Sequence, residues 1–268
     1  MKRGIAVIFF ISFFVYSCEW IGNNGGDENV DIVKGLKTAL QVGKDSAVKF
    51  TSAVDGYYKD QVIKILLPPE AQVVYQYINN PLVQQISYNG KNINALIGDV
   101  ELSMNRAAEY AAPKAKGIFA RAIENMTISD GLTILNGRNP ADSSKSLLAG
   151  EFDSLAATHY LKSMTYTSLV DSFSPPMTDA LSKDLGLGFS ANTAWSSFTS
   201  AYNTVANNSF GLIQPIATTD LGKYATGKAL DGLFYKVGEQ ERLIRRDPWH
   251  WASTAVGDIL TKVFGKSQ

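Results

Sequence analysis

Apolar residues in this chain recur at intervals of three and four rather than two, and that spacing constrains the fold more than any other feature. The cleanest case is residues 92–112, where Ile93, Leu96, Ile97, Val100, Met104, Ala107, Ala108 and Ala111 form one helical face. Pro113 cannot continue that ladder but suits the first turn of a new helix, whose face is Ala115, Ile118, Phe119, Ala122, Ile123 and Met126. Asp31 can cap an earlier helix with Val33, Leu36, Leu40, Ala47 and Phe50 on its apolar side, ending at the turn signal Val54-Asp55-Gly56. A late helix should start at Thr219 or Asp220 and bury Leu221, Tyr224, Ala225, Leu230, Leu233, Phe234, Val237 and Ile244 before Pro248 ends it. Its exposed end is expected to carry the i,i+4 pair Glu241 and Arg245.

Shorter helices are expected at 70–77, 129–135, 152–164, 166–173, 177–185 and 194–205, with an amphipathic terminal helix at 252–264. Asn136-Gly137 is a left-handed stop signal, Ser174-Pro175-Pro176 is expected to break the chain, and Gly186 and Gly188 to form a loop. Residues 57–69 stand apart: branched side chains followed by Pro68-Pro69 favour an extended backbone, either a short strand near 61–67 or a buried crossing. No internal repeat is present. The fold class is therefore all-α, a single irregular multi-helix domain over residues 31–268 with an insertion at 138–155.

The N-terminus carries an address. Lys2 and Arg3 precede an apolar run over residues 5–16, shorter than the roughly 20 residues that span a bilayer. Val15-Tyr16-Ser17-Cys18 then has the pattern of a lipobox, with Tyr16 its one unusual residue. Residues 1–17 read as a lipoprotein signal peptide, Cys18 as the lipidated residue, and 18–30 as a polar, glycine-rich tether reaching roughly 20 Å. The expected partner at this end is a membrane, held through lipid on Cys18. Localisation is then the cell envelope, with the outer membrane expected and its side open.

Cys18 is the only cysteine, so a lipidated mature chain can form no internal disulfide. Without Lys2 and Arg3, 23 basic residues face 25 acidic ones, a balance that offers no basic face for nucleic acid.

Several segments together resemble domain of unknown function 4197, a family of bacterial envelope proteins. They include Gly35-Leu36-Lys37-Thr38-Ala39-Leu40, Asp55-Gly56-Tyr57-Tyr58, Ala112-Pro113-Lys114-Ala115-Lys116, Ile134-Leu135-Asn136-Gly137 and Ala229-Leu230-Asp231-Gly232-Leu233-Phe234. The most specific run is 101–117, beginning Glu101-Leu102-Ser103-Met104-Asn105-Arg106-Ala107-Ala108-Glu109. The resemblance spans roughly residues 32–265 and implies a mainly helical exported protein, often lipid-anchored, but no activity. Residues 138–155 and Trp249-His250-Trp251 depart from the pattern.

Catalytic patterns are missing. His159 and His250 are the only histidines, and a zinc site needs more ligands at suitable spacing. Gly-x-Ser-x-Gly and the P-loop are absent, and Gly186-Leu187-Gly188 does not continue to a dinucleotide fingerprint. No metal and no cofactor is expected. The best polar candidate is a strip of Glu101, Asn105, Arg106 and Glu109 along one side of the 92–112 helix, either a solvated face or a surface that lines a groove or holds a neighbouring helix. Lys228 and Asp231 of the late helix are its possible partners. The leading expectation is a non-catalytic binding or structural module for an envelope protein partner or an apolar small ligand. The alternative is a hydrolase acting on envelope lipid or glycan through paired carboxylates.

Overall fold

The computed structural model describes residues 25–141 and 152–251, together with residues 257, 258 and 261. The Cys18 lipobox, most of the 138–155 insertion and most of the 252–264 helix lie outside the described residues. Five long helices dominate: α1 (Gly25–Thr51), α4 (Ile93–Ala111), α7 (Ala156–Ser182), α8 (Ala191–Asn207) and α9 (Leu221–Arg246). Between α1 and α4 the chain makes two single-turn helices, α2 (Val74–Tyr77) and α3 (Pro81–Gln84), and a small hairpin of β1 (Ser87–Tyr88) and β2 (Lys91–Asn92). Two shorter helices, α5 (Lys116–Glu124) and α6 (Ile128–Leu135), follow α4. The all-α reading holds, since the antiparallel two-residue strands form the whole sheet among the described residues.

Helix starts follow local chemistry. Asn92 accepts from the Ala95 N–H at 2.9 Å to open α4, and Asp220 accepts from the Lys223 N–H at 2.9 Å to open α9. Thr127 and Asp130 cap α6 reciprocally, a capping box that begins two residues before the expected Ser129. Helix α1 begins at Gly25, ahead of its expected cap at Asp31. The hairpin turns on Asn89 and Gly90, both at positive φ, the Asn-Gly dipeptide that suits a two-residue hairpin turn.

Packing runs α1, α9, α7, α4, α8 in succession, with α5 and α6 against α1. The Phe119 and Phe234 rings meet edge to face at 5.3 Å in the middle of this core. Two expectations fail here. Pro175 and Pro176 do not break the chain: α7 runs through them, with Phe173 buried before and Met177, Ala180 and Leu181 buried after. Prolines inside a helix cost about 3 kcal/mol each, about 6 kcal/mol for the two, and burial of Phe173, Met177 and Leu181 at about 1.5–3 kcal/mol each offsets that cost. Phe50, expected in the core, is half exposed with the Lys236 ammonium 4.5 Å above its ring.

The start of α7 has no side-chain cap of its own at Leu155. Glu241 from α9 supplies one: its carboxylate accepts from the Ala157 N–H (3.0 Å), the Thr158 N–H (2.8 Å) and the Thr158 hydroxyl (2.7 Å). Arg245 holds the same carboxylate at 2.8 Å. The expected exposed pair Glu241 and Arg245 is thus buried, because the first turn of α7 lies against it and its N–H groups need an acceptor.

Candidate functional site

The polar strip of α4 is buried. Asn105 is fully enclosed, Glu101 and Glu109 nearly so, and Arg106 mostly covered. The expectation of a solvated face is therefore overturned, and what covers the strip is neither Lys228 nor Asp231. It is the chain between α1 and α2, which crosses between α4 and α9 over residues 55–67.

Each residue of the strip holds a particular point of that crossing. The Asn105 amide oxygen accepts from the Ile65 N–H at 2.9 Å, and its NH2 donates to the Ile65 carbonyl at 2.8 Å and to the Glu101 carbonyl at 2.7 Å. In this way one side chain substitutes for a neighbouring strand, satisfying both backbone groups of a buried residue. Glu109 Oε1 accepts from the Tyr57 and Tyr58 N–H groups at 3.1 and 3.4 Å. Arg106 bridges Glu109 and Asp55, both at 2.6 Å. Glu101 pairs with Lys64 at 2.9 Å and accepts from the Tyr75 hydroxyl at 3.4 Å.

Helix α9 grips the other side. The Tyr57 hydroxyl donates to the Ala229 carbonyl at 2.7 Å, Lys236 pairs with Asp60 at 2.6 Å, and the Tyr224 hydroxyl donates to the carbonyls of Leu66 and Leu67. Gly232 permits the contact, because a Cβ there would stand 2.8 Å from the Tyr57 ring and 3.1 Å from Ile63 Cβ. Asp55, the turn residue that opens the crossing, adopts a φ of 66°, a conformation that Asp tolerates better than most residues.

These placements set the charges. Lys59 and Arg106 hold the Asp55 carboxyl below its ordinary range. Burial alone would raise Asp60, but the Lys236 ammonium and the N–H groups of Val62 and Ile63 outweigh it and hold that carboxyl low. Burial, then the Glu101 charge, pushes the Tyr75 hydroxyl up to about 12, and burial drives Tyr57 further still. Every group of the strip is committed to anchoring backbone or to an ion pair. Glu101 and Glu109 stand about 12 Å apart along the helix with separate partners, so the strip forms no acid and base pair.

Lys228 and Asp231 lie on the exposed side of α9, away from the strip. Asp231 pairs with Lys162 at 3.2 Å, while Lys228 has no charged or hydrogen-bonding partner among the described residues. Both border an open groove between the first half of α9 and the outer edge of the crossing. It consists of two adjoining clefts of about 360 and 450 Å3 that share Pro69, Tyr224, Lys228 and Asp231. Val62, Leu66 and Tyr235 give it an apolar wall that is substantially exposed. The sequence pattern did not reveal the groove, whose two halves are the crossing, turned over 57–63 and free of turns only over 64–68, and the face of α9 that carries Tyr224, Lys228 and Tyr235. By contrast, the apolar void enclosed by Leu36, Ala39, Leu40, Val237 and Ile244 measures about 10 Å3, room for a single water.

The remaining candidates take ordinary roles. His159 is partly exposed, with Nδ1 2.6 Å from Asp153 Oδ2. Among the described residues no three metal-ligating side chains cluster, and no helix is long and apolar enough to cross a membrane. The side chain of His250 lies outside the described residues.

The family of proteins of unknown function DUF4197 matches residues 27–265. The chain belongs to that family. The match takes in α4 with its strip, the crossing and α9, so the site described above lies wholly within the DUF4197 region. No curated protein and no solved structure matches the chain.

Proposed function

We propose that this DUF4197 protein is an envelope lipoprotein, anchored through lipid on Cys18, whose helical domain is a non-catalytic docking module. Its binding surface is the groove between α9 and the crossing, and its occupant is an extended segment of a partner protein that sets a carboxylate against Lys228 and apolar side chains against Val62, Leu66 and Tyr235. The supporting observation is Lys228: a lysine without a partner among the described residues, between exposed apolar walls that are themselves rigidly pinned. A small apolar ligand fits less well, because the void beside Leu36, Val237 and Ile244 has space for about one water and the groove is open along its length. Preorganisation favours affinity, since Ile65, Tyr57 and Asp60 fix the wall before any partner arrives.

Photo-crosslinking tests the reading. A benzophenone side chain placed at Val62 or Leu66 of the full chain, expressed in its own envelope, should give a discrete protein adduct that Lys228→Glu abolishes. No adduct, or one indifferent to Lys228→Glu, overturns the groove; an adduct of lipid mass reassigns it. Separately, Cys18→Ser should release the chain from the membrane fraction, and retention there would overturn the anchor.

A further inference from the structure

Residues 185–219 contain no Asp, Glu, Lys, Arg or His, in a chain that is 19% charged overall. This stretch includes α8 and the connection to α9, and its exposed side chains are Ser, Thr, Asn and Gln, the small apolar Pro215 and Ala217, and one large apolar exception. The exception is the tip at Phe210-Gly211-Leu212. Phe210 is fully exposed and Leu212 is 70% exposed, the most solvent-facing pair of large apolar side chains within two residues of each other among the described residues.

The tip is built, not loose. Leu212 N–H donates to the Ser209 carbonyl at 3.1 Å, closing a tight turn with Phe210 at φ 53° and Gly211 at φ 84°. Such a turn favours Asn, Asp or Gly at its first central position, and a bulky aromatic there is disfavoured. The buried Ser209 hydroxyl donates to the Ala206 carbonyl at 2.6 Å and accepts from the Ile213 N–H at 2.9 Å. Below it, Asn203 clasps both backbone groups of Ile216, at 3.0 and 2.7 Å. The fold thus spends strain to hold an aromatic ring wholly, and a leucine side chain mostly, out in solvent. Folding gains no apolar burial from the Phe210 ring.

We infer that the Phe210-Gly211-Leu212 turn is a membrane wedge, which inserts its two apolar side chains into the interfacial layer of a lipid bilayer. A projecting tip has no concave surface to receive a peptide, and the chain on either side of it, uncharged from 185 to 219, can enter the interface without desolvating an ion of its own. The same lack of charge removes any electrostatic preference for anionic lipid, so insertion depends on apolar burial alone. A lipid-anchored chain would present the wedge to a nearby bilayer, but insertion rests on neither the anchor nor the groove.

The test uses the full chain carrying Cys18→Ser, so that an engineered thiol is the only one. An environment-sensitive fluorophore on Leu212→Cys is compared with the same label on Arg121→Cys, an exposed position of α5, in phosphatidylcholine vesicles with and without phosphatidylglycerol. The expected result is a severalfold rise in emission at 212, quenched by lipid-borne nitroxide, unchanged by anionic lipid or by salt, and absent at 121. Adding Phe210→Gly should abolish that rise without lowering the urea midpoint, because glycine suits the turn and no packing is lost. The proposal is overturned if the chain fails to bind vesicles, if position 212 responds no more than 121, or if Phe210→Gly leaves the rise intact. It is equally overturned if the change appears without vesicles as protein concentration rises, which would mark the tip as a contact between copies.

Discussion

Replacing Asn105 with alanine removes the one side chain that satisfies both backbone groups of Ile65. Ile65 is 1% exposed, so water cannot take over the 2.9 and 2.8 Å bonds that Asn105 makes to its N–H and carbonyl. Each buried group left unpaired costs about 1–3 kcal/mol, giving about 2–6 kcal/mol for the pair, a large part of the roughly 5–15 kcal/mol that holds a typical domain together. With an m-value of about 2–3 kcal/mol/M, the urea midpoint read by circular dichroism should fall by about 0.7–3 M. Hydrogen exchange at the Ile65 amide should accelerate in step. Asn105→Leu separates hydrogen bonding from packing, since it keeps the volume and loses the bonds. It should be as damaging as alanine. A midpoint shift below about 0.3 M for Asn105→Ala, or recovery of wild-type stability by leucine, would refute the view that the strip exists to hold the crossing.

Three further outcomes are expected. Asp60 is depressed by Lys236, so its contribution to stability is full above the unfolded carboxylate pKa of about 4 and fades as pH falls through the lower folded value; Asp60→Asn should be destabilised at pH 7, with the gap to wild type closing in denaturant titrations below pH 4. Tyr202 is fully buried and its hydroxyl has no partner among the described residues, so Tyr202→Phe should raise stability by about 1 kcal/mol, and a loss instead would show that the hydroxyl is bonded. Glu241→Ala should cost about 3–5 kcal/mol by stripping the acceptors from Ala157, Thr158 and Arg245, with Glu241→Gln losing less because its amide oxygen still accepts; equal losses would show that the charge, not the cap, matters.

What the sequence by itself determined was most of the helices and several of their ends. The spacing of apolar residues from 92 to 112, the caps Asn92 and Asp220, and the stop at Asn136-Gly137 are all local, since a helix is closed by bonds and side chains within four residues. Asn89-Gly90 was an equally local hairpin signal that helical periodicity overshadowed. The crossing near 57–69 was legible in part, since no strand forms there, turns occupy 57–63 and only 64–68 runs free of turns. The residue types of the α4 strip were legible too. Their meaning was not, because the partner of Asn105 lies forty residues away and that of Glu109 fifty-two. Only the tertiary structure decided that the strip is buried, that Glu241 caps a helix other than its own, and that α7 passes through Pro175 and Pro176. Each of these turns on burial, where an unpaired polar group or a lost apolar contact costs more than any local preference, and burial belongs to the packed chain and not to any window of its sequence.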